Sequence, residues 1–404
     1  MKMPMLGVES SGVLVQGFKA AGIPCGIKKG NKKDLALIYT ETPAVIAGVF
    51  TKNKVKAAPI IVDIERIKGG ECSAIIINSG NANACTGKRG IKDARDMANL
   101  AAKALDTKND HVMVASTGVV GEPIPMDKVD RAVSHLAKGL SPVGWFEAAE
   151  AIMTTDTFPK LAMEEGRVGG RPVRIVGIAK GAGMISPDMA TMLAFVVTDA
   201  VMDRRTLQVL LRRAVNRSFN RITVDGDEST NDMVLMLANG LAGNKRFKAQ
   251  DSIFKTFQGM LDRLCMKLAH MIVKDGEGAT KFLEIRVKGG RTESDAIKAA
   301  RSVANSLLVK TAFFGEDLNW GRIMVALGSS GVDLDANKVN INLGKLPIVR
   351  GGVATGGEKV AKIYMRERDI EVTIDLKMGD KGAVIWTTDL SCDYVKINAN
   401  KYSR

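Results

Sequence analysis

Three observations predict a mixed α/β (α+β) fold for this chain of 404 residues. Short runs rich in β-branched residues alternate with longer stretches in which apolar residues follow helical spacing. The hydrophobic fraction is 46% with only 5% aromatic residues, which is ordinary for a folded globular chain and not for a disordered one. No repeat of fixed period and no low-complexity linker interrupts the pattern.

Strands are predicted where the β-branched runs occur, several of them apolar on both faces and therefore buried. In chain order they are Ser73–Asn78, His111–Ser116, Arg174–Ala179, Leu193–Thr198 and Ile222–Val224, followed by Lys362–Lys377 and Ala383–Leu390 with a turn at 378–381 between the last two. The strand before Thr191 and the strand after it are predicted to be neighbours.

Helices are predicted where apolar residues recur at helical spacing. They are Ile91–Leu105, Asp127–Lys138, Ser141–Met153, Asp203–Val215 and Ser252–Lys274. Asp203 and Ser141 are candidate N-caps, and Pro142 suits the first turn of a helix.

The net charge of +14 suggests a nucleic-acid-binding protein as one interpretation. The basic residues are spread along the chain, however, and no interleaved aromatic pattern offers a stacking platform for bases. The densest run, 28–33, is interpreted as a solvated turn between strands. A solvated basic surface, which would also attract carboxylate-bearing metabolites, is therefore favoured over a nucleic-acid partner.

The sequence gives no sign of a membrane or metal protein. No window approaches the ~20 uninterrupted apolar residues of a membrane helix, and residues 1–9 lack the apolar core of a signal peptide. A cytoplasmic location is therefore expected. The five cysteines are widely spread without a CxxC pair, so reduced and mostly buried thiols are predicted, Cys85 included, and no metal site.

The segment Lys180–Phe195 contains a glycine-rich turn, then Ala190 and Thr191, and then an apolar strand pattern. Cleavage between Ala190 and Thr191 would make Thr191 a new N-terminus. Its α-amine, with an ordinary pKa of ~7.7–8.0, would be a base beside the hydroxyl nucleophile. On local pattern alone, the start of a buried strand explains these residues better than a cleavage site does.

Several further motifs occur in order along the chain. They are NSGNANACTG at 78–87, ASTGVVG at 115–121, TTDTFPK at 154–160, DGDESTND at 225–232, DGEGAT at 275–280 and DYVKINA at 393–399. Together with KGAGMISPDMATMLA at 180–194, the set resembles the glutamate N-acetyltransferases of arginine biosynthesis, also called ornithine acetyltransferases. The resemblance covers essentially the whole chain.

The resemblance implies a layered αββα-like core. It also implies that the polypeptide cleaves itself into two chains, residues 1–190 and 191–404, which share one fold and assemble as an α2β2 heterotetramer. It implies transfer of an acetyl group from N2-acetyl-L-ornithine to L-glutamate through an acetyl-Thr191 intermediate. No cofactor is expected. No motif decides whether acetyl-CoA serves as a second acetyl donor.

The resemblance also assigns site residues. A Thr-Gly pair at a strand end can direct a hydroxyl and a backbone N–H to one point, although from the residues alone a simple turn explains Ser-Thr-Gly about equally well. The resemblance decides for Thr117 and Gly118, which match the family's pair for stabilising an oxyanion. The substrate-binding positions are Thr154, Lys180, Thr191, Glu277, Asn398 and Ser403. Glu277 is the expected partner of the ornithine δ-ammonium. The tail departs from the family pattern, since Tyr402 stands one place later than usual, and this weakens the match at Ser403.

Other catalytic designs have little support in the sequence. Its three histidines, His111, His135 and His270, open a strand or lie in helical stretches, and no GxSxG, GxxxxGK or HExxH motif is present. Two alternatives to the acetyltransferase remain. One is an N-terminal-nucleophile amidohydrolase or aminopeptidase, in which water resolves the same acyl-enzyme. The other is a noncatalytic basic RNA-binding protein, which would bind with a steep salt dependence.

Overall fold

The structure is a computed structural model that describes residues 14–186, 192–249 and 251–399. Ala190, Thr191 and Ser403 lie outside the described residues. The strands are β1 Phe18–Ile23, β2 Leu35–Phe50, β3 Glu71–Asn81, β4 Val112–Val119, β5 Lys160–Val168, β6 Arg171–Lys180, β7 Leu193–Thr198, β8 Met233–Ala238, β9 Phe282–Gly290, β10 Asn340–Leu343, β11 Leu346–Arg350, β12 Val353–Ala354, β13 Asp369–Asp375 and β14 Lys381–Thr388. The helices are α1 Ala58–Arg66, α2 Gly87–Leu105, α3 Met126–Lys138, α4 Trp145–Ala151, α5 Arg204–Arg217, α6 Ser252–Lys274, α7 Glu293–Asn305, α8 Leu307–Phe314, α9 Trp320–Gly328, α10 Glu358–Met365 and α11 Cys392–Ala399.

The larger sheet of the described chain has the strand order β4-β3-β2-β8-β7-β6-β5, with β1 paired to β2. The long strand β2 belongs to two halves of this sheet. Its first part pairs with β1 and β3, its last part pairs with β8, and its register to β3 shifts between Tyr39 and Ala44. One half therefore contains β1, β3 and β4, and the other contains β5 to β8.

The two halves pack face to face. Alternate residues of a strand point to opposite faces of its sheet. One apolar cluster unites alternate residues of β3 and β4, such as Ile75, with alternate residues of β6, β7 and β8, such as Phe195. The outer face of the first half packs against α1, α2 and α3, and the outer face of the second packs against α5 and α6. These four layers confirm the predicted mixed α/β class with an αββα-like core.

The segments on either side of residues 187–191 lie side by side in this core. β6 pairs antiparallel with β7, and Lys180 stands opposite Leu193. β7 in turn pairs parallel with β8. The prediction that these two strands are neighbours is confirmed, and the sheet contains strands from both sides of the predicted cleavage position.

A second sheet with the order β12-β11-β10-β13-β9-β14 follows later in the chain. Its apolar residues form a separate cluster with α7, α8, α9 and α10. β9 pairs parallel with β13 and antiparallel with β14, so β13 and β14 flank β9 and do not pair with each other.

Four of the five predicted helices are confirmed within a few residues of their predicted ends, and α6 matches its prediction at both ends. The Asp203 carboxylate caps α5, because it accepts a hydrogen bond of 2.8 Å from the Thr206 N–H. The prediction for Ser141–Met153 is wrong in its first turn. Ser141 exchanges two backbone hydrogen bonds with Ala20, of 2.9 and 3.1 Å, and this bridge delays the start of α4.

Two strand predictions are wrong in part. Residues 222–224 do not form a strand. Ile222 makes an isolated bridge to Trp386, and the Val224 N–H donates a hydrogen bond of 2.8 Å to the carbonyl of Ile185, which lies in a loop. The first part of Lys362–Lys377 is helical, because Ala361 and Met365 bury their side chains at the four-residue spacing of a helix face.

The cysteine prediction is wrong for Cys85, which is exposed and adopts a φ of 58°. Cys392 is exposed as well, Cys25 is half-buried, and Cys72 and Cys265 are buried. All five are free thiols. Within residues 14–186, 192–249 and 251–399, no group of three or more His, Cys, Asp or Glu side chains is placed to hold a metal ion, and no helix is long and apolar enough to cross a membrane.

Candidate active site

One cleft brings together residues that are far apart in the sequence. All the predicted site residues that the structure describes line it: Thr117, Gly118, Thr154, Lys180, Glu277 and Asn398. The other three predicted residues, Ala190, Thr191 and Ser403, lie outside the described residues.

The ends of three strands form one wall of the cleft. β3 and β4 are parallel, so Gly80 and Gly118 lie side by side where these strands end. Gly118 has a φ of 134°, and a Cβ there would stand 2.3 Å from the carbonyl carbon of Gly80. The neighbouring strand therefore requires glycine at this position, in addition to any need for close approach by a ligand.

Lys180, the last residue of β6, organises the two threonine hydroxyls of the cleft. Its Nζ donates a hydrogen bond of 2.7 Å to Thr154 Oγ1 and lies 3.4 Å from Thr117 Oγ1. Burial lowers the pKa of Lys180, while Asp156 and other carboxylates oppose this effect. A hydroxyl that accepts a hydrogen bond from an ammonium keeps its own proton to donate, so both threonines can act as donors into the cleft.

A buried ion network supports this wall. The Asp156 carboxylate accepts hydrogen bonds from the backbone N–H of Thr154 at 2.9 Å and of Gly181 at 2.7 Å. The Lys160 Nζ lies 2.7 Å from Asp156 and 2.6 Å from Asp275, and the side chain of Lys160 is wholly buried. Burial alone would raise the pKa of Asp156, but the Lys160 and Lys180 ammonium groups outweigh it and hold this pKa below its usual range.

Glu277 lies on a loop that the glycines around it make tight. Its N–H donates to the Ala182 carbonyl at 2.9 Å, and its Oε2 accepts a hydrogen bond of 2.7 Å from Asn398 Nδ2. A Cβ on Gly183 would stand 2.4 Å from the Glu277 carboxyl carbon. Gly183 therefore leaves the space that the carboxylate occupies.

Asp225 anchors the chain that leads to residue 187. Its carboxylate accepts hydrogen bonds from the backbone N–H of Met184 at 2.6 Å and of Ile185 at 2.9 Å, and from the Tyr394 hydroxyl at 3.1 Å. Met184 adopts a φ of 58°, which is unusual for a residue with a side chain. Burial raises the pKa of Asp225, and the hydrogen bonds from the Met184 N–H and the Tyr394 hydroxyl oppose this effect.

Asp232 anchors the chain that follows residue 191. Its Oδ1 accepts a hydrogen bond of 2.9 Å from the Met192 N–H, and the Met192 carbonyl accepts one of 3.3 Å from the Met233 N–H. The Asp232 side chain is wholly buried, and burial raises its pKa well above the usual range, although the Met192 N–H and Lys180 oppose this. Residues 187–191 therefore connect two backbone segments that are both fixed beside the cleft.

The chain matches the ArgJ family over residues 19–403. It belongs to the ArgJ family. It is 50% identical over 388 residues to the arginine biosynthesis bifunctional protein ArgJ of Geobacter sulfurreducens, a match that covers 96% of this chain and 99% of the relative. The protein of the same name from Symbiobacterium thermophilum is 52% identical over 388 residues, which are 95% of this chain and 96% of that protein.

A crystal structure of the arginine biosynthesis bifunctional protein ArgJ from Bacillus halodurans is also similar, with a TM-score of 0.50 and 41% identity. That match covers 97% of the crystallised chain but 51% of this one. The protein is thus an enzyme of the ArgJ family, whose relatives are named for arginine biosynthesis.

This ArgJ-family cleft contains residues that sequence reasoning did not single out. Asp225, Asp227 and Tyr394 line it and lie inside motifs that carried the resemblance, so the motifs were the available signal. Lys28 lines it too, although the run 28–33 was interpreted as a solvated turn. Lys28 is half-buried, its Nζ donates to the Met153 carbonyl at 2.9 Å, and burial lowers its pKa to about 8.

Proposed function

We propose that this ArgJ-family enzyme transfers the acetyl group of N2-acetyl-L-ornithine to L-glutamate, giving L-ornithine and N-acetyl-L-glutamate. The observation that carries the proposal is the cleft itself. It gathers the described residues that the family resemblance assigns to the site, and it lies beside the two anchored segments that flank residues 187–191.

The nucleophile in this proposal is Thr191, freed by self-cleavage after Ala190. Asp225 and Asp232 support it, because they fix the backbone before and after the cleavage position. The Bacillus halodurans comparison gives further support: 97% of that crystallised chain corresponds to 51% of this one, and residues 191–404 are also about half of the chain. A polypeptide of that length suits a product of cleavage.

In the first half-reaction, the Thr191 hydroxyl attacks the acetyl carbonyl and passes its proton to its own α-amine. The Thr117 hydroxyl and the Gly118 N–H donate to the oxyanion that forms, and Lys180 orients Thr117 from behind. Losing one donor of such a site typically raises the barrier by ~2.7–4 kcal/mol. The C–N bond then breaks, the nitrogen of ornithine takes the proton, and an acetyl-Thr191 ester remains.

Glu277 binds the δ-ammonium of ornithine in this scheme, since a carboxylate in a partly buried cleft is its natural partner. Asn398 fixes the Glu277 carboxylate for this role through its hydrogen bond of 2.7 Å. L-Glutamate then enters, its neutral α-amine attacks the ester carbonyl, and Thr191 recovers its proton as N-acetylglutamate leaves. Such a double displacement predicts ping-pong kinetics.

The two fragments, 1–190 and 191–404, stay together in the proposed enzyme. The larger sheet supports this, because β6 from the first fragment pairs with β7 from the second. Assembly of two such pairs into an α2β2 heterotetramer, and a cytoplasmic location, complete the proposal. Light scattering of the purified protein measures the assembly.

A second acetyl donor is part of the proposal as well. The relatives carry the word bifunctional in their names, and acetyl-CoA is the donor that the family resemblance suggests. Release of the CoA thiol, measured with glutamate as acceptor and without acetylornithine, tests this activity separately.

The test of the main activity compares the wild type with Thr191→Ala and Thr191→Ser. We expect the wild type to release ornithine continuously only when glutamate is present, and Thr191→Ala to lose both cleavage and transfer. Thr191→Ser retains a hydroxyl and should keep part of both. Steady ornithine release without glutamate would instead identify an amidohydrolase, and transfer by uncleaved Thr191→Ala would overturn the mechanism.

A further inference from the structure

The cleft contains a cation that the proposed mechanism leaves without a role. Lys28 lies in the turn between β1 and β2 and reaches over Gly80, where an added Cβ would stand 2.9 Å from Lys28 Cγ. Its Nζ donates to the Met153 carbonyl at 2.9 Å. One hydrogen bond uses one of the three donors of an ammonium, and the side chain borders the cleft.

Lys28 and Lys180 both lie beside Thr154. The Lys28 Nζ donates a hydrogen bond to the carbonyl of Met153, the residue before Thr154, and the Lys180 Nζ donates one to the Thr154 hydroxyl. The carboxylates that line the cleft come from another part of the chain, at Asp225, Asp227 and Glu277. The cleft therefore has two ammonium groups close to one threonine, and one of them is enough for a substrate with a single carboxylate.

The two substrates of a double displacement differ in this respect. Acetylornithine brings one carboxylate and one ammonium, whereas glutamate brings two carboxylates and must present its attacking amine uncharged. A carboxylate that leaves water for a partly buried cleft is costly unless it gains a charged partner. The acceptor therefore requires one more cation than the donor does.

We propose that Lys28 forms a second carboxylate subsite, used by the dicarboxylic amino acid that accepts the acetyl group and not by acetylornithine. This inference rests on the proposed function. Lys180 with Thr154 binds the carboxylate that both substrates share, and Lys28 binds the one that only glutamate has. The same residue then favours glutamate over an acceptor with an uncharged side chain, such as glutamine.

The charge on Lys28 makes the subsite sensitive to pH. Burial lowers the pKa of its ammonium to about 8, with Asp34 and Asp156 opposing and with Lys32 and Lys180 reinforcing the decrease. Above that pH the free enzyme loses the charge, and the KM for glutamate should rise. Arginine stays protonated, so Lys28→Arg should lack this rise.

The experiment compares Lys28→Met and Lys28→Arg with Lys29→Met, a control in the same turn with an exposed lysine. We measure the burst of ornithine from acetylornithine alone, and then the KM for glutamate and for glutamine. We expect Lys28→Met to raise the KM for glutamate roughly ten- to a hundredfold, the usual effect of losing a hydrogen bond between charged groups. Its ornithine burst and its KM for glutamine should match those of Lys29→Met.

The possible outcomes distinguish a failure of the Lys28 subsite from a failure of the proposed function. If the wild type shows no ornithine burst, the proposed function fails. If the wild type shows a burst and Lys28→Met raises the KM for glutamate and for glutamine alike, or raises neither, then Lys28 does not form the proposed carboxylate subsite. If Lys28→Met does not fold, Lys28→Arg still decides, because a KM for glutamate with the same pH dependence as the wild type contradicts the inference.

Discussion

Replacing Lys160 by methionine should destabilise this protein more than any single change on its surface. The Lys160 ammonium is wholly buried between Asp156 and Asp275, at 2.7 and 2.6 Å. Lys160 and Asp156 precede the proposed cleavage position and Asp275 follows it, so the ion pair also joins the two proposed fragments. Methionine keeps an unbranched side chain, one heavy atom shorter, and removes the charge.

The magnitude follows from the charges that would be left behind. Removing one partner of a buried ion pair typically costs ~3–5 kcal/mol, because the remaining charge is buried without compensation. Asp156 would keep its hydrogen bonds from Thr154 and Gly181, and Asp275 would keep those from Thr157. These contacts place the expected loss near the lower end, at ~3 kcal/mol, still a large part of a typical stability of ~5–15 kcal/mol.

The loss should depend on pH with a definite sign. In the wild type the pKa of Asp156 is held below its unfolded value of ~3.9. Asp156 therefore contributes to the free energy of unfolding fully above about pH 3.9, and this contribution is lost as the pH falls through the folded pKa. In Lys160→Met the buried carboxyls are easier to bury when protonated. The difference from the wild type should therefore be smaller at about pH 5 than at about pH 8.

Urea unfolding followed by circular dichroism, at both pH values, measures the effect. Lys92→Met is the matched control, since Lys92 also lies 2.6 Å from a carboxylate, that of Asp96, but is exposed. Adding Asp275→Asn to Lys160→Met should recover part of the loss, because it removes one uncompensated charge. A loss for Lys160→Met no larger than that for Lys92→Met would show that burial does not make the Lys160 ion pairs more important to stability than an exposed pair.

Two further predictions concern a glycine and a buried lysine. Gly183→Ala would place a Cβ 2.4 Å from the Glu277 carboxyl carbon, so we expect a higher KM for acetylornithine with little change in Tm. The control is Gly69→Ala, because an added Cβ there meets nothing within 4 Å. An unchanged KM for Gly183→Ala would contradict the role of Glu277. Burial lowers the pKa of Lys310 to about 7, so between that pH and ~10.4 the unfolded chain binds one more proton than the native protein. The free energy of unfolding of the wild type, relative to that of Lys310→Met, should therefore rise across this window by up to ~1.4 kcal/mol per pH unit. Urea unfolding of both proteins at several pH values measures this difference. If the two urea midpoints change with pH in parallel, Lys310 is not neutral there.

The parts of the fold that the sequence predicted well are those set by local periodicity. β7 and α6 match their predicted bounds, because an apolar run and a long helical pattern leave little choice within each segment. Ser141 and Ile222 were assigned wrongly because each is fixed by a backbone partner far away in the sequence, Ala20 and Trp386. Such pairings are not visible in local spacing.

The same distinction holds for the candidate site. Thr117, Lys180 and Glu277 lie in short motifs, so the family resemblance could bring them forward. Lys28 belongs to no motif, and it enters the cleft only because its turn folds across Gly80 and reaches Met153, 125 residues later. A charged residue in a basic run gives no local sign of such burial.

The central claim is that Thr191 becomes an N-terminus and carries the acetyl group. Intact mass spectrometry of the denatured protein, after mixing with acetylornithine alone, tests it most directly. We expect two fragments, with the one that begins at Thr191 heavier by one acetyl group until glutamate is added. A single chain of 43.3 kDa that still transfers acetyl, or an acetyl group on the fragment that ends at Ala190, would contradict it.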